Sequence, residues 1–107
     1  MAKKILIVDD EPEVVEVLKL RLGNWGYEVA AAASGEEAVR LAEELRPDLI
    51  LLDVMMPERS GFEVLQELKS NPPTRTVPVI MLTVATAPHE IERGKKLGAE
   101  VYLTKPY

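Results

Sequence analysis

Three short apolar runs, each followed directly by a polar residue, constrain the fold of this chain more than any other feature. They occupy positions 4–8, 49–52 and 79–82, and stretches with helical periodicity separate them. Continuous hydrophobicity is typical of strands that are buried on both faces of a sheet. Strands that alternate with helices favour right-handed crossovers and a mostly parallel sheet. The pattern therefore predicts a doubly wound α/β fold with helices on both faces of the sheet.

Two further strands, at 27–32 and 101–104, and four helices complete the predicted order. Pro12 suits the first turn of a helix, and its apolar stripe is Val14, Val17, Leu18, Leu22 and Trp25. Ser34 and Glu37 have the spacing of a capping box, so a second helix begins there. Arg40 is expected to pair with Glu36 one turn away. A third helix spans 62–69, and a fourth begins at Pro88.

Length and composition limit the class of protein. The 107 residues make one domain, 1–107, and 47% hydrophobic with 29% charged residues is ordinary for a globular protein. No apolar run reaches the roughly 20 residues that cross a bilayer. The net charge of −5 disfavours direct binding to nucleic acid or to anionic membranes. The absence of cysteine excludes disulfides and thiolate sites, and we expect a cytoplasmic location.

Polar residues follow the strands at the edge where parallel α/β sheets bind ligands. Asp9 and Asp10 follow the first strand, Asp53 ends the third, Thr83 ends the fourth and Lys105 follows the fifth. Each has an ordinary structural explanation, such as a helix cap or a solvated charge. Their common position at the carboxyl ends of the strands is not required by those explanations. The sequence therefore predicts that three carboxylates, a hydroxyl and an ammonium group converge.

This set of groups suits phosphoryl transfer. Neighbouring carboxylates repel one another unless a cation intervenes, and oxygen ligands without cysteine favour Mg²⁺ over zinc or copper. Asp53 is the candidate nucleophile. Lys105 and the Thr83 hydroxyl are the candidate groups that hold the phosphoryl oxygens.

The segments that carry these residues resemble a known family. Residues 4–12, 48–57, 79–83 and 102–106 are similar, in the same order, to the signature segments of bacterial response regulator receiver domains, including chemotaxis regulators. The resemblance implies a flavodoxin-like five-stranded parallel sheet in the order 2-1-3-4-5. It covers nearly the whole chain.

The resemblance also implies roles for individual residues. Asp10, Asp53 and the backbone carbonyl of Met55 would bind Mg²⁺ directly, and Asp9 would act mainly through a water molecule. Asp53 would accept a phosphoryl group from a histidine kinase or a phosphotransfer protein. The chain would catalyse its own phosphorylation and slow dephosphorylation, as a signalling domain rather than a metabolic enzyme.

A conformational switch is implied as well. Thr83 and Tyr102 resemble the pair that reorients on phosphorylation, and Lys105-Pro106 resembles the cis peptide of the family. An acyl phosphate adds charge and acceptor oxygens, so Thr83 gains a hydrogen bond by moving inward and vacates space for Tyr102. The surface of the fourth helix and fifth strand would then change for a downstream output domain or target protein.

The sequence departs from the family in two places. Val84 stands where the family usually has Ala or Gly after the switch threonine, and its branched side chain is expected to narrow access to Asp53. The sequence stops at Tyr107, without the usual fifth helix that would share a sheet face with the first. Val101 and Leu103 are therefore expected to be partly uncovered, which predicts self-association through that face.

Other functions fit less well. An aspartate-nucleophile phosphohydrolase would carry a second Asp where Met55 stands, and a flavin-binding module would need a phosphate loop in place of the acidic Asp9-Asp10-Glu11. The remaining alternative is a receiver-like interaction module that signals without phosphorylation. Magnesium-dependent labelling of Asp53 distinguishes the two.

Overall fold

The computed structural model describes residues 3–53, 60–83 and 101–104, with Thr83 and 101–104 described by their backbone alone. The strands are β1 (Lys4–Val8), β2 (Glu28–Ala32), β3 (Leu49–Asp53), β4 (Val79–Thr83) and β5 (Val101–Thr104). They form one parallel sheet in the order β2-β1-β3-β4-β5, which is the order that the family resemblance implied. The described helices are α1 (Pro12–Asn24), α2 (Gly35–Leu45) and α3 (Gly61–Ser70).

The strand β2 begins one residue later than predicted. The N–H of Tyr27 donates to the carbonyl oxygen of Leu22 at 3.1 Å, so Tyr27 still closes the end of α1. Gly26 has a φ of 92°, a left-handed conformation that glycine adopts without steric cost. The chain therefore turns before pairing starts at Glu28, opposite Lys4.

On one face of the sheet the described residues form a closely packed core. Its core joins α2 and α3 to alternate residues of the strands, and its largest members are Leu6, Ile50, Leu52, Phe62, Leu65, Leu68 and Met81. These side chains are buried to 4% exposure or less. Phe62, Leu65 and Leu68 thus form the inward face of α3, as their helical spacing predicts.

Among the described residues, α1 is the element that packs on the other face, and its packing is less close. Ile5, Ile7, Leu51 and Leu82 form the buried cluster there, and α1 itself contains no buried residue. The predicted apolar stripe of α1 is partly wrong, because Val17 is 43% and Trp25 73% exposed. Trp25 lies beyond the last turn as the C-cap, so helical spacing no longer directs its side chain toward the sheet.

A groove runs beside α1 on this face, and we call it the α1 groove. Its volume is about 280 Å³, and its apolar lining includes Ile5, Leu18, Leu22, Leu49, Leu51 and Ile80. Trp25 and Arg21 also line it. The side chains of Val101 and Leu103, which the sequence predicted to be uncovered, lie outside the described part of the chain.

The predicted capping box begins α2. Ser34 Oγ accepts the N–H of Glu37 at 3.2 Å, and Glu37 Oε1 accepts the N–H of Ala33 at 2.8 Å. Arg40 lies 3.4 Å from Glu44 and 4.0 Å from Glu37, so the predicted pair with Glu36 is wrong. These ion pairs are exposed, and such pairs contribute little to stability.

The connection from α3 to β4 is held by two side chains that bond to backbone carbonyls. The hydroxyl of Thr74 is fully buried and donates to the carbonyl oxygen of Leu68 at 2.7 Å. Lys69 Nζ donates to the carbonyl oxygen of Val77 at 2.8 Å. The first bond helps to satisfy a carbonyl in the last turn of α3, and the second ties the segment before β4 to the helix. They fix where β4 enters the sheet.

Among the described residues, no helix has both the length and the apolar character required to cross a membrane.

Replacement of Thr74 by Val is expected to lower the free energy of unfolding by about 0.5–1.5 kcal/mol, because the buried hydroxyl that bonds to the carbonyl oxygens of Leu68 and Asn71 is lost. Chemical denaturation followed by far-ultraviolet circular dichroism measures this change. Thr76 is exposed in the same connection, so Thr76→Val is the matched control and should change stability by less than about 0.5 kcal/mol. Equal effects of the two replacements would contradict the role of the Thr74 hydroxyl.

Candidate metal centre

Two buried carboxylates lie side by side at the carboxyl ends of β1 and β3. Val8 pairs with Leu52 in the register of these strands, so Asp9 and Asp53 come next on neighbouring strands. Asp9 is 1% and Asp53 2% exposed. Carboxylates are rarely buried to this degree unless they are hydrogen-bonded, paired or bound to a metal. Their burial separates them from the solvated acidic residues elsewhere on the chain.

Backbone groups fix the position of Asp9. Its N–H donates to the carbonyl oxygen of Ala32 at 3.1 Å, one step beyond the last pair of β1 with β2. Its Oδ1 accepts the N–H of Glu11 at 2.9 Å, which restrains the side chain. Sequence reasoning missed both contacts, because every residue carries these backbone groups and no side-chain pattern marks them.

Asp10 completes a cluster that suits a divalent cation. One carboxylate oxygen each from Asp9, Asp10 and Asp53 lie within 4.8 Å of one another. Oxygens bound to one octahedral Mg²⁺ lie about 3.0 to 4.2 Å apart, so these atoms coordinate a common ion by moving closer together or by using a water molecule as a bridge. The donor set is all oxygen and includes neither cysteine nor histidine, which favours Mg²⁺ or Mn²⁺ over zinc. The residues present therefore fit a hard divalent cation.

The remaining predicted site residues are described in part or not at all. Thr83 is the last residue of β4 and follows Leu82, which pairs with Asp53, so its backbone lies beside the acidic cluster at the same edge. Tyr102 pairs with Met81 in β5. The side chains of Thr83 and Tyr102 lie outside the described part. Met55, Val84, Lys105, Pro106 and the predicted helix that begins at Pro88 also lie outside it.

Comparison with known families matches residues 5–107 to the response regulator receiver domain. The chain is 44% identical over 107 residues to the alkaline phosphatase synthesis transcriptional regulatory protein PhoP of Bacillus subtilis. This match covers 100% of the chain and 44% of PhoP, so the chain spans less than half the length of that relative.

Solved structures resemble the fold along nearly its whole length. Chemotaxis protein CheY4 of Vibrio cholerae superposes with a TM-score of 0.96 at 36% identity, covering 100% of this chain and 89% of that one. The Mn²⁺-bound form of response regulator Rcp1 superposes with a TM-score of 0.86 at 30% identity, covering 97% and 81%.

Mg²⁺ is expected to stabilise the folded chain, because a ligand that binds only the folded state raises the free energy of unfolding. At a free concentration ten times the Kd the gain is about 1.4 kcal/mol. Asp10→Asn removes one charged ligand and should weaken the affinity on the order of tenfold, with a smaller gain at the same concentration. Thermal unfolding with Mg²⁺ and with chelator measures both effects.

The matched control is Glu13→Gln, which removes the same charge from an exposed position in the first turn of α1. Its response to Mg²⁺ should equal that of the wild-type chain. A wild-type chain whose unfolding is insensitive to Mg²⁺ would contradict the metal centre.

Proposed function

The chain belongs to the response regulator receiver family, and we propose that it is a phosphorylation switch that accepts a phosphoryl group on Asp53 with the help of Mg²⁺. The observation that carries the proposal is the placement of Asp53. It ends the central strand β3, is 2% exposed, and shares a cluster of oxygens within 4.8 Å with Asp9 and Asp10. A nucleophile beside a cation site is the requirement of phosphoryl transfer.

The reaction is a displacement at phosphorus. A carboxylate oxygen of Asp53 attacks the phosphorus, and the bond from phosphorus to the imidazole nitrogen of a donor histidine breaks. The electron pair of that bond leaves with the imidazole, and an acyl phosphate remains on Asp53. A bound Mg²⁺ would offset the negative charge of the phosphoryl oxygens.

The chain's own residues supply the geometry. The sheet holds Asp53 rigidly, because its neighbours Leu52 and Leu82 are buried. Burial also excludes bulk water from the carboxylate, which strengthens electrostatic interactions there. Asp10 directly, and Asp9 mainly through a water molecule, would hold the cation next to the nucleophile, so the phosphoryl donor would meet both groups at one place.

By resemblance to the family, Lys105 and Thr83 hold the phosphoryl oxygens and the backbone carbonyl of Met55 is a further metal ligand. The position of Thr83 at the end of β4, next to β3, supports this role. Thr83 and Tyr102 belong to neighbouring strands, which suits a switch that passes from the site to β5. The surface of β5 and of the predicted fourth helix would then change for an output partner.

The partners follow from the family. A histidine kinase or a phosphotransfer protein would supply the phosphoryl group. The similarity to a transcriptional regulator of which the chain spans 44% suggests that the switch acts on an output domain or a target protein. The net charge of −5 argues that the receiver does not itself bind nucleic acid.

Incubation with acetyl phosphate and Mg²⁺ is expected to add one phosphoryl group to the wild-type chain and none to Asp53→Asn, because the amide is not a nucleophile. Intact-mass spectrometry measures the addition. Omission of Mg²⁺ should reduce the addition strongly.

Asp48→Asn is the matched control for that experiment. Asp48 is exposed before the opposite end of β3, and an amide oxygen can still accept the N–H of Lys4, which the carboxylate accepts at 2.8 Å. This variant should be phosphorylated like the wild type. A wild-type chain that binds Mg²⁺ but gains no phosphoryl group would favour the phosphorylation-independent interaction module.

We also propose that the chain associates with a second copy through the α1 groove. The surface carries both a projecting group, Trp25, and an apolar hollow of about 280 Å³ beside it. A two-fold axis requires such a self-complementary surface. Arg21 lines the α1 groove, and Asp48 lines a second pocket next to it, which also contains Trp25. Opposite charges are therefore available to pair across the two-fold axis.

Trp25→Ser is expected to weaken this association at least about tenfold, since large aromatic side chains dominate such interfaces. Sedimentation equilibrium over a range of concentrations measures it. Leu20 is 67% exposed on α1 but does not line the groove, so Leu20→Ser is the control and should leave the association unchanged. A wild-type chain that remains monomeric at all concentrations would contradict the proposal.

A further inference from the structure

A series of hydrogen bonds connects the start of α2 with the acidic cluster. Glu37 Oε1 accepts the N–H of Ala33 at 2.8 Å. Ala33 follows Ala32, the last residue of β2, and the carbonyl oxygen of Ala32 accepts the N–H of Asp9 at 3.1 Å. Asp9 Oδ1 in turn accepts the N–H of Glu11 at 2.9 Å. The carboxylate of Glu37 is therefore linked through the backbone to a carboxylate of the metal centre.

We propose that Glu37 is a positioning residue for the metal centre, because it holds the end of β2 to which the backbone of Asp9 is bonded. The inference rests on the proposed binding of Mg²⁺ by Asp9, Asp10 and Asp53. It adds a residue that lies outside that cluster and acts through Ala33 and Ala32.

Burial makes the connection stiff. Ala32 and Asp9 are each 1% exposed, and Ala32 belongs to the core cluster that also contains Val8 and Ala38. Closely packed interiors transmit small displacements instead of absorbing them. The end of β2 cannot shift without moving the carbonyl that receives the N–H of Asp9. A metal centre depends on its ligands and on the groups that orient its bound waters, so such a shift lowers the affinity for the metal.

The capping box separates this role from helix stability. The bond from the Glu37 N–H to Ser34 Oγ, at 3.2 Å, stabilises the first turn of α2. The bond from the Ala33 N–H to Glu37 Oε1 holds the residue that joins β2 to the helix. Loss of the Ser34 hydroxyl therefore weakens the helix start but keeps the link to Asp9, whereas loss of the Glu37 carboxylate breaks the link.

Charge is a second effect that must be separated. Glu37 is negatively charged and half-buried, with a side chain that is 41% exposed, so its removal also reduces the attraction of the surface for cations. Glutamine keeps the side-chain acceptor oxygen and removes the charge, and it also serves at this position of a capping box. Glu37→Gln should therefore keep the end of β2 in place and retain the Mg²⁺ affinity that Glu37→Ala loses.

The experiment uses the full chain with the replacements Glu37→Ala, Glu37→Gln, Ser34→Ala and Glu44→Ala. Glu44→Ala is the control for ion pairing, because Glu44 is the nearer partner of Arg40 on the same helix. Calorimetric titration gives the Kd for Mg²⁺, and amide hydrogen exchange of the Asp9 N–H in metal-free protein reports on the link itself.

Glu37→Ala is expected to raise the Kd about threefold or more and to accelerate exchange of the Asp9 N–H. Glu37→Gln and Glu44→Ala should stay within about twofold of the wild-type Kd. Ser34→Ala should lower the melting temperature as Glu37→Ala does, while both its Kd and the exchange of Asp9 stay close to wild type.

Three results would overturn the inference. If Glu37→Ala leaves both the Kd for Mg²⁺ and the exchange rate of the Asp9 N–H unchanged, the hydrogen bonds from Glu37 do not position Asp9. If Ser34→Ala loses as much Mg²⁺ affinity as Glu37→Ala, the effect comes from helix stability. If Glu37→Gln loses as much, the effect comes from charge. If the wild-type chain binds no Mg²⁺, the proposed metal function fails separately, and the Asp9 exchange rates still decide whether Glu37 holds the end of β2.

Discussion

The parallel pairing of β1 with β2 on one side and β3 on the other is the constraint on which the structure depends. It brings Asp9 and Asp53 to adjacent positions, and it places the carbonyl of Ala32 where the N–H of Asp9 can reach it. Because both faces of β1 are packed, a shift of register would move its apolar side chains off both cores at once. The acidic cluster is therefore as well defined as the core beneath it.

The fold and the acidic cluster were largely predictable from sequence, because both follow from where apolar runs end. The burial of Leu6, Leu52 and Leu65 follows from hydrophobic pattern, and Asp9, Asp10 and Asp53 follow from position at the strand ends. The order of the strands in the sheet could not be predicted in this way, because hydrophobic periodicity carries no information about which strands are neighbours. The family resemblance alone implied it. The sheet confirms that order.

Three details of the structure were predicted wrongly or missed, each for its own physical reason. The exposure of Trp25 was missed because it stands one residue past the last helical turn, where the period of 3.6 no longer sets direction. The pairing of Arg40 was assigned to the wrong glutamate because several acidic residues lie within one turn of it. The anchoring of Asp9 by Ala32 and Glu11 uses backbone groups, which sequence patterns do not distinguish.

The exposure of Trp25 has a spectroscopic consequence. It is the only tryptophan of the chain, and 73% of it faces solvent. Its emission in the native state should already resemble that of the indole ring in water. Intrinsic fluorescence is therefore a poor optical reporter of core packing in this protein, and a tryptophan substituted into the α3 side of the sheet would be needed to make the core visible to that technique.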